Sequence, residues 1–260
     1  MSDGEPILEV RDLGHRYGDF EALRGLSLRV DAGECVALIG HNGSGKTTAV
    51  RVIAGLLAPS AGEVRVLGEA VGAAAASAAT AVVLDTPALY EDLTVAEHLE
   101  LVALAHGVAD DELDERALAL LVRLGLAART DAVPGALSRG MRQKLSLACS
   151  LVRPFRLLVL DEPVVGLDPA AQRTLRELIA EAVGGGAAVE TGASSTRQTS
   201  ATENETGPCQ TPKRSAATSA SATSAAPTDA AVRGPRPPPT IDARTCSAST
   251  PAMSTQTTTT

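Results

Sequence analysis

The chain has 260 residues, a formal net charge of −8 and 2% aromatic residues, so its core must be built mainly from Leu, Val, Ala and Ile. The negative net charge does not favour binding of nucleic acid, and the sequence has no basic patch mixed with aromatic residues. The four cysteines are scattered without a C-x-x-C pair, which indicates a reducing compartment with neither a metal centre nor disulfides. No apolar run is long enough to cross a bilayer, so membrane work would need a separate subunit.

The spacing of apolar residues predicts alternating strands and helices along the first part of the chain. We expect strands near residues 7–11, 24–30, 34–39, 63–67, 81–84 and 156–160. We expect helices near residues 46–56, 95–106, 111–126, 138–152 and 170–182.

The first motif is a glycine-rich stretch between the strand at 34–39 and the helix at 46–56. Its residues, called here the phosphate loop, are Gly40, His41, Asn42, Gly43, Ser44, Gly45, Lys46, Thr47 and Thr48. Glycines let the backbone turn tightly and approach an anion, which successive N–H groups can cradle. Lys46 supplies a point charge for the β- and γ-phosphates, and the Thr47 hydroxyl suits Mg²⁺. A turn that binds nothing is the alternative, but the strand, loop and helix context favours a nucleoside triphosphate site.

The second motif is a pair of acids at the end of the strand near 156–160. Four apolar residues in a row suit a strand that is buried on both faces of a parallel sheet. Asp161 and Glu162 follow at the carboxyl edge, where open α/β sheets bind ligands. We expect Asp161 to hold Mg²⁺ and Glu162 to polarise the attacking water as the catalytic residue. A solvated acidic turn is the alternative, and the phosphate loop upstream favours the functional interpretation.

Two more segments complete the set of motifs. The stretch Leu137-Ser138-Arg139-Gly140-Met141, called here the signature loop, heads a predicted helix, and Gly166-Leu167-Asp168-Pro169 follows the acids. The order of these motifs resembles the nucleotide-binding domain of ABC transporters, over roughly residues 5–189. The resemblance implies an α/β P-loop NTPase fold with a RecA-like parallel core, an antiparallel β subdomain and an α-helical subdomain. It also implies ATP and Mg²⁺ as ligands.

The resemblance also implies roles for three further sites. Tyr17 matches the aromatic residue that stacks on adenine, although it could be an ordinary edge-strand tyrosine. The signature loop matches the segment that completes the ATP site of a second ATP-binding subunit in a head-to-tail dimer. Ser138 could also simply cap its helix, and both roles can hold. Asp168 matches a residue in the loop that lines the dimer interface.

The implied partner is a transmembrane permease subunit, which would place the chain in the cytoplasm, on the inner face of the membrane.

The sequence departs from the family pattern at three places. The signature loop reads Leu-Ser-Arg-Gly-Met where Leu-Ser-Gly-Gly-Gln is usual, and together with the following Arg-Gln-Lys-Leu it resembles bacterial exporter-type ATPases. Asp85 stands where the family has a glutamine that contacts magnesium and senses the membrane partner. Aspartate is also an oxygen ligand, but a plain turn residue is an equal alternative. Finally, no histidine follows Asp161, although the family has one there that contacts the γ-phosphate.

The composition changes abruptly near Glu190. We therefore divide the chain into an incomplete ATP-binding domain, 1–189, and a Ser/Thr/Ala/Pro-rich tail, 190–260, which is expected to be disordered because it cannot bury enough apolar surface. By the family resemblance, residues 184–189 begin an apolar strand, and the composition changes within that strand, which suggests a shifted reading frame. By resemblance, the affected strand lies between the phosphate-loop strand and the strand of Asp161. We expect this central strand to be short or absent, and the stability to be marginal.

These observations favour an ATP-binding, exporter-like ABC transporter subunit that couples ATP hydrolysis to a separate membrane subunit. One alternative is a nucleotide-binding module with little or no turnover, because the family's histidine is absent. Another is a frameshifted product without function.

Overall fold

The computed structural model describes residues 5–194 and 242–246. The strands are β1 Leu8–Tyr17, β2 Phe20–Val30, β3 Cys35–Gly40, β4 Ala61–Val66, β5 Glu69–Ala70, β6 Thr80–Val83, β7 Leu157–Asp161, β8 Ala188–Ser194 and β9 Asp242–Cys246. The helices are α1 Lys46–Ile53, α2 Ala74–Ala79, α3 Val95–Ala105, α4 Asp110–Leu124, α5 Arg139–Leu151 and α6 Pro169–Gly184. Short 3₁₀ turns span Ala127–Arg129 and Pro134–Ala136.

The first sheet is antiparallel, with the strand order β2-β1-β4-β5. β1 and β2 form a long hairpin whose register runs from the pair Leu8 and Val30 to the pair Tyr17 and Phe20. Leu8 and Val10 are buried, whereas Glu9 between them is only partly buried. This alternation gives the sheet one apolar face, as expected for an antiparallel sheet that covers a core on one side.

The second sheet has the strand order β6-β7-β8-β3-β9, and its first four strands are parallel. β7 is buried along its whole length. Leu157 and Val159 contribute to the core that contains α1, whereas Leu158 and Leu160 contribute to the core of the helical part. Burial on both faces of β7 confirms the expectation from its apolar run.

Helices cover the two faces of the parallel sheet. α1 buries Val50 and Ile53 against the strands on one face. α3, α5 and α6 place their apolar stripes in the core on the other face, together with Leu120, Leu121 and Leu124 of α4. The predicted α/β fold with a parallel core, an antiparallel sheet and a helical part is therefore confirmed.

Local signals account for most of the helix ends. Thr94 and Glu97 form a reciprocal capping box at the start of α3. α1 is shorter than predicted because Gly55 adopts a left-handed conformation directly after it, with φ of 75°. The sequence did not predict α2, because its run of alanines and one serine has no apolar period from which a helix face could be recognised.

The expectation of a short or absent central strand is wrong. β8 has seven residues, lies between β3 and β7 as predicted, and pairs in parallel with both. The strands pair through backbone N–H and C=O groups. Residues without large apolar side chains, such as Thr191 and Gly192, can therefore form part of a central strand. The expectation that residues 190–260 form a disordered tail is also wrong for residues 190–194, which belong to β8, and for β9, which pairs antiparallel with β3. The rest of the proposed tail lies outside the described residues.

Glu190 on β8 is a buried carboxylate in the middle of the parallel sheet. It is fully buried, and neither carboxylate oxygen has a hydrogen-bond partner among residues 5–194 and 242–246. Alternation along β8 places its side chain on the same face as Ala188, which belongs to the α1 core. Burial, followed by the nearby charge of Asp161, raises the pKa of Glu190 to about 8. An unpaired charge in an apolar core is costly, so this carboxyl is held in its protonated form at neutral pH.

The stability of the protein is expected to fall as the pH rises from about 4.5 to about 8, because the folded state holds a proton on Glu190 that the unfolded state releases near its usual pKa of 4.5. Urea unfolding across this range measures the slope. The free energy of unfolding of the Glu190→Leu variant at pH 7.5 should be higher by about 1–3 kcal/mol, because this is the usual cost of an unsatisfied buried polar group. In the Glu190→Gln variant, whose side chain cannot titrate, the free energy of unfolding should depend much less on pH. An unchanged slope in Glu190→Gln would exclude Glu190 as its source.

Candidate functional site

The phosphate loop connects the end of β3 to the start of α1 through backbone that only glycine can adopt at key positions. Gly45 has a φ of +89°, and a Cβ atom there would lie 2.4 Å from the carbonyl oxygen of Ala22 in β2. A Cβ atom on Gly40 would lie 2.5 Å from the Oγ of Ser44. Glycines therefore let the loop close on itself and on the β1–β2 hairpin.

Lys46 lies at the centre of the loop. Its side chain is buried, and its Nζ donates hydrogen bonds to the carbonyl oxygens of Gly40 at 2.8 Å and His41 at 3.0 Å. An ammonium has three donors, so one remains for an anion. The hydroxyl of Ser44 is buried beside it and has no hydrogen-bond partner in the described chain. A curled loop with a buried cation and an unsatisfied hydroxyl fits a bound polyphosphate.

The predicted metal-binding residues meet at one cavity of about 210 Å³, called here the carboxylate cavity. It is lined by Thr47, Arg51, Leu84, Asp85, Thr86, Asp161 and Glu162. The hydroxyl of Thr47 at the start of α1 donates to Oδ1 of Asp161 at 3.4 Å. The structure thus joins the phosphate loop to the acid pair, and it brings Asp85 to the same place.

The carboxylates in this cavity repel one another. The pKa of Asp161 is raised, first by burial and then by the charges of Asp85 and Glu162. Arg51 and the Thr47 hydroxyl act in the opposite direction. The sequence reasoning missed Arg51, although it follows Thr47 by four residues and must therefore share its face of α1.

Glu162 is held in an unusual backbone conformation directly after β7. Its φ is 47°, which is uncommon for a residue with a side chain. Its N–H donates to the carbonyl oxygen of Gly192 in β8 at 3.1 Å. A strained backbone of this kind typically costs on the order of 1–3 kcal/mol and is found most often at functional sites.

The residues of the carboxylate cavity fit a divalent cation that is shared with a nucleotide. No group of three or more His, Cys, Asp or Glu side chains in the described ranges is arranged to hold a metal ion alone. A hydroxyl and carboxylates beside a phosphate loop leave ligand positions for phosphate oxygens and water, which is how Mg²⁺ is usually bound.

The signature loop and Asp168 meet at a different place. Ser138 caps α5 by accepting a hydrogen bond from the N–H of Met141 at 3.2 Å, so its predicted capping role is observed. Gly140 lies so close to the next loop that a Cβ atom would be 2.7 Å from the carbonyl oxygen of Gly166. The signature loop does not line the carboxylate cavity within the described part of the chain.

Asp168 has clear structural partners in this structure. It caps α6 by accepting from the N–H of Ala171 at 2.8 Å, and it forms an ion pair with Lys144 of α5 at 2.7 Å. The hydrogen bond from Lys144 is the main reason that the pKa of Asp168 is lowered. Its predicted role at a dimer interface stays a prediction, and these contacts show that it also joins α5 to α6.

Tyr17 ends β1 and is 45% exposed. The ring of His15 contacts it edge to face, with the ring centres 4.6 Å apart. Tyr17 pairs with Phe20 at the tip of the hairpin whose β2 strand touches the phosphate loop at Ala22. A half-exposed tyrosine on this hairpin is placed where stacking on a base is feasible, and that role stays a prediction.

A second cavity of about 210 Å³ lies between β6 and the helices α3 and α5, and is called here the apolar groove. It is lined by Leu56, Val82, Leu84, Ala88, Leu89, Tyr90, His98, Leu101, Val102, Ser146, Cys149 and Ser150. Burial raises the pKa of the Cys149 thiol to about 12, so this thiol stays uncharged at neutral pH.

The Gly45→Ala variant should destabilise the protein more than Gly43→Ala, as measured by thermal unfolding of the two variants. Both glycines have positive φ values, 89° and 82°, so both variants carry a backbone penalty of about 1–2 kcal/mol. Only the methyl at position 45 would also collide with the carbonyl of Ala22, since nothing lies within 4 Å of the corresponding position at Gly43. Equal losses would contradict the close packing of the loop on β2.

Comparison with known proteins gives a consistent family. The model of the ABC transporter family matches residues 23–165. The ABC-type transporter ATP-binding protein EcsA of Bacillus subtilis (strain 168) is 36% identical over 185 residues, which cover 70% of this chain and 75% of that protein. Nod factor export ATP-binding protein I of Ralstonia nicotianae (strain ATCC BAA-1114 / GMI1000) is 38% identical over 66% of this chain and 54% of that protein.

An import protein is equally similar. The spermidine/putrescine import ATP-binding protein PotA of Pseudomonas aeruginosa (strain UCBPP-PA14) is 36% identical over 67% of this chain. The matched part is 48% of that protein, so the chain spans about half of the length of this relative and of the Nod factor protein.

Solved structures agree with these relatives. The ATP-binding subunit of an ABC transporter superposes with a TM-score of 0.69 at 36% identity, over 73% of this chain and 80% of that one. CbiO1 from Clostridium perfringens, part of the ABC transporter complex cbiONQ, gives a TM-score of 0.61 at 27% identity over 74% of this chain and 79% of that one. Among the described helices, none combines the length and apolarity that a membrane span requires. The chain belongs to the ABC transporter family as an ATP-binding subunit, and members of this family are ATPases.

Proposed function

We propose that this chain binds Mg·ATP between the phosphate loop and Asp161, hydrolyses it with Glu162, and drives a transmembrane permease subunit of an exporter. The observation that carries the proposal is the convergence of Thr47, Asp85, Asp161 and Glu162 on one cavity beside the buried Lys46. Phosphoryl transfer asks the protein mainly for positioning and charge neutralisation, and these residues supply both.

Each residue has a role that follows from its position. Lys46 and the N–H groups at the start of α1 hold the phosphates. Thr47 and Asp161, already 3.4 Å apart, would hold the metal ion, which when bound neutralises phosphate charge. Glu162, next along the chain, orients a water molecule as a hydrogen-bond acceptor and takes its proton. Tyr17, at the tip of the adjoining hairpin, stacks on the adenine.

The signature loop would act on the ATP of a second ATP-binding subunit. Its residues lie at the N-terminus of α5, where unsatisfied N–H groups favour an anion, and away from the cavity of their own subunit. A head-to-tail dimer would bring this helix end to the partner's phosphates, with Asp168 in the adjoining loop. No role for nucleic acid is proposed.

The permease would contact the apolar groove. The segment that begins at Leu84 lines both the carboxylate cavity and this groove, so one stretch of chain connects the nucleotide to the surface. The apolar lining suits an apolar face of a cytoplasmic permease segment, which would hold the chain at the inner face of the membrane. The exporter assignment is supported by the Arg-Gln-Lys-Leu sequence after the signature loop, which resembles that of exporter-type ATPases, and not by overall similarity, which is equal for import and export proteins.

A binding module with slow turnover is the second candidate. It is favoured by one observation: all four histidines of the chain, His15, His41, His98 and His106, precede Asp161. Calorimetry with Mg·ATP and steady-state phosphate release separate the two functions. Binding with turnover supports the hydrolase, binding without turnover supports the module, and no binding excludes both.

The Glu162→Gln variant should retain Mg·ATP binding and lose roughly 10²–10⁴-fold in phosphate release, the usual contribution of a general base. Because ATP then persists, light scattering should show a doubled mass with Mg·ATP if the head-to-tail dimer forms. The control is Glu100→Gln, an exposed position on α3 that does not line the carboxylate cavity. Undiminished turnover in Glu162→Gln would exclude Glu162 as the catalytic residue.

The Asp85→Asn variant should raise the Mg²⁺ concentration that half-saturates ATP binding several-fold, because a neutral amide is a weaker ligand than a carboxylate for a hard cation. Isothermal titration at fixed ATP measures this concentration. Asp92→Asn is a matched control, since it removes one charge from an exposed position seven residues further along the chain. Identical Mg²⁺ dependence in both variants would make Asp85 a plain turn residue.

A further inference from the structure

Residues 84–90, called here the linking segment, connect β6 to the turn before α3 and border both cavities. Leu84, Asp85 and Thr86 line the carboxylate cavity. Ala88, Leu89 and Tyr90 line the apolar groove. Any movement of this segment therefore changes both places at once.

The linking segment is held at its two ends by buried polar side chains. Gln143 of α5 is 2% exposed and donates from Nε2 to the carbonyl oxygen of Leu84 at 3.2 Å. His98 of α3 is 3% exposed, and its Nε2 accepts from the N–H of Tyr90 at 3.0 Å. Between these anchors, residues 85–89 make no hydrogen bond to the described part of the chain.

The hydrogen bonds of His98 define its protonation state. Nδ1 lies 2.7 Å from the carbonyl oxygen of Thr94, which can only accept, so Nδ1 carries the hydrogen. The backbone N–H of Tyr90 can only donate, so Nε2 must be bare. The neutral ring is thus a rigid link between the first turn of α3 and the end of the linking segment.

We propose that His98 is a positioning residue that holds the linking segment so that Asp85 stays at the carboxylate cavity while Leu89 and Tyr90 stay at the groove. The inference rests on the proposed function, in which Asp85 contacts the metal ion. A buried histidine with two partners could also serve folding alone. The two roles differ in a measurable way, because a purely structural histidine would change stability without changing the dependence of ATP binding on Mg²⁺.

Two conservative variants separate the two hydrogen bonds of His98. In His98→Asn, the amide nitrogen takes the place of Nδ1 and can donate to Thr94, but the side chain is too short to reach Tyr90. In His98→Gln, the amide oxygen takes the place of Nε2 and can accept from the N–H of Tyr90. Both variants are compared with the unaltered full-length chain for thermal stability, for hydrogen exchange of the Tyr90 amide, and for Mg²⁺ dependence of ATP binding.

We expect His98→Asn to speed exchange of the Tyr90 amide and to raise the half-saturating Mg²⁺ concentration roughly three- to tenfold, the range that one lost hydrogen bond allows. His98→Gln should stay within about twofold of the unaltered chain in both measurements, whatever the melting temperatures are. Equal behaviour of the two variants in exchange or in Mg²⁺ dependence would overturn the proposal. Failure of the unaltered chain to bind Mg·ATP would instead overturn the proposed function, and the exchange measurement, which needs no nucleotide, would still test the anchor.

Discussion

The common direction of β3, β8 and β7 is the constraint on which the site depends. Because the three strands are parallel, the phosphate loop and the acid pair leave the sheet at the same edge. β8 lies between them and sets their separation, so that α1, starting after the loop, can place Thr47 against Asp161. The backbone of β8 also fixes the acid pair, through the hydrogen bond between Gly192 and Glu162. A central strand thus positions chemistry to which its own side chains need not contribute.

Much of this arrangement could be predicted from the sequence because its signals are local. The phosphate loop depends on glycines within a few residues of a strand and a helix, and the apolar run before Asp161 is typical of a strand buried on both faces. These patterns were sufficient to place Lys46, Thr47, Asp161 and Glu162 at one edge. The apolar period also predicted the strands near 7–11 and 24–30 and the helices of the helical part, whereas the antiparallel pairing was implied only by the family resemblance. The predicted ends were less accurate, since β1 extends to Tyr17.

The features that the sequence did not reveal are those decided by distant partners. β8 and β9 form because β3 and β7 offer backbone groups to pair with, whereas their own residues have weak strand signals. The sequence assigns Glu190 to the tail. Its carboxyl group is buried in the structure because β8 is a central strand of the sheet. His98 and Gln143 look like ordinary polar residues within apolar stripes, and their partners lie in a segment that belongs to neither helix.

β9 has a consequence for how the molecule behaves towards other copies of itself. It pairs with β3 on the side away from β8, from Cys35 to Ile39. Without it, β3 would become the outermost strand of an otherwise parallel sheet and would present a row of unsatisfied amides and carbonyls to solvent. Such an edge recruits any extended peptide, including the same segment of a neighbouring molecule. β9 satisfies the backbone groups along this side of β3, and it moves the free edge of the described sheet to a five-residue strand that contains the charged residues Asp242 and Arg244, a composition that disfavours further strand pairing.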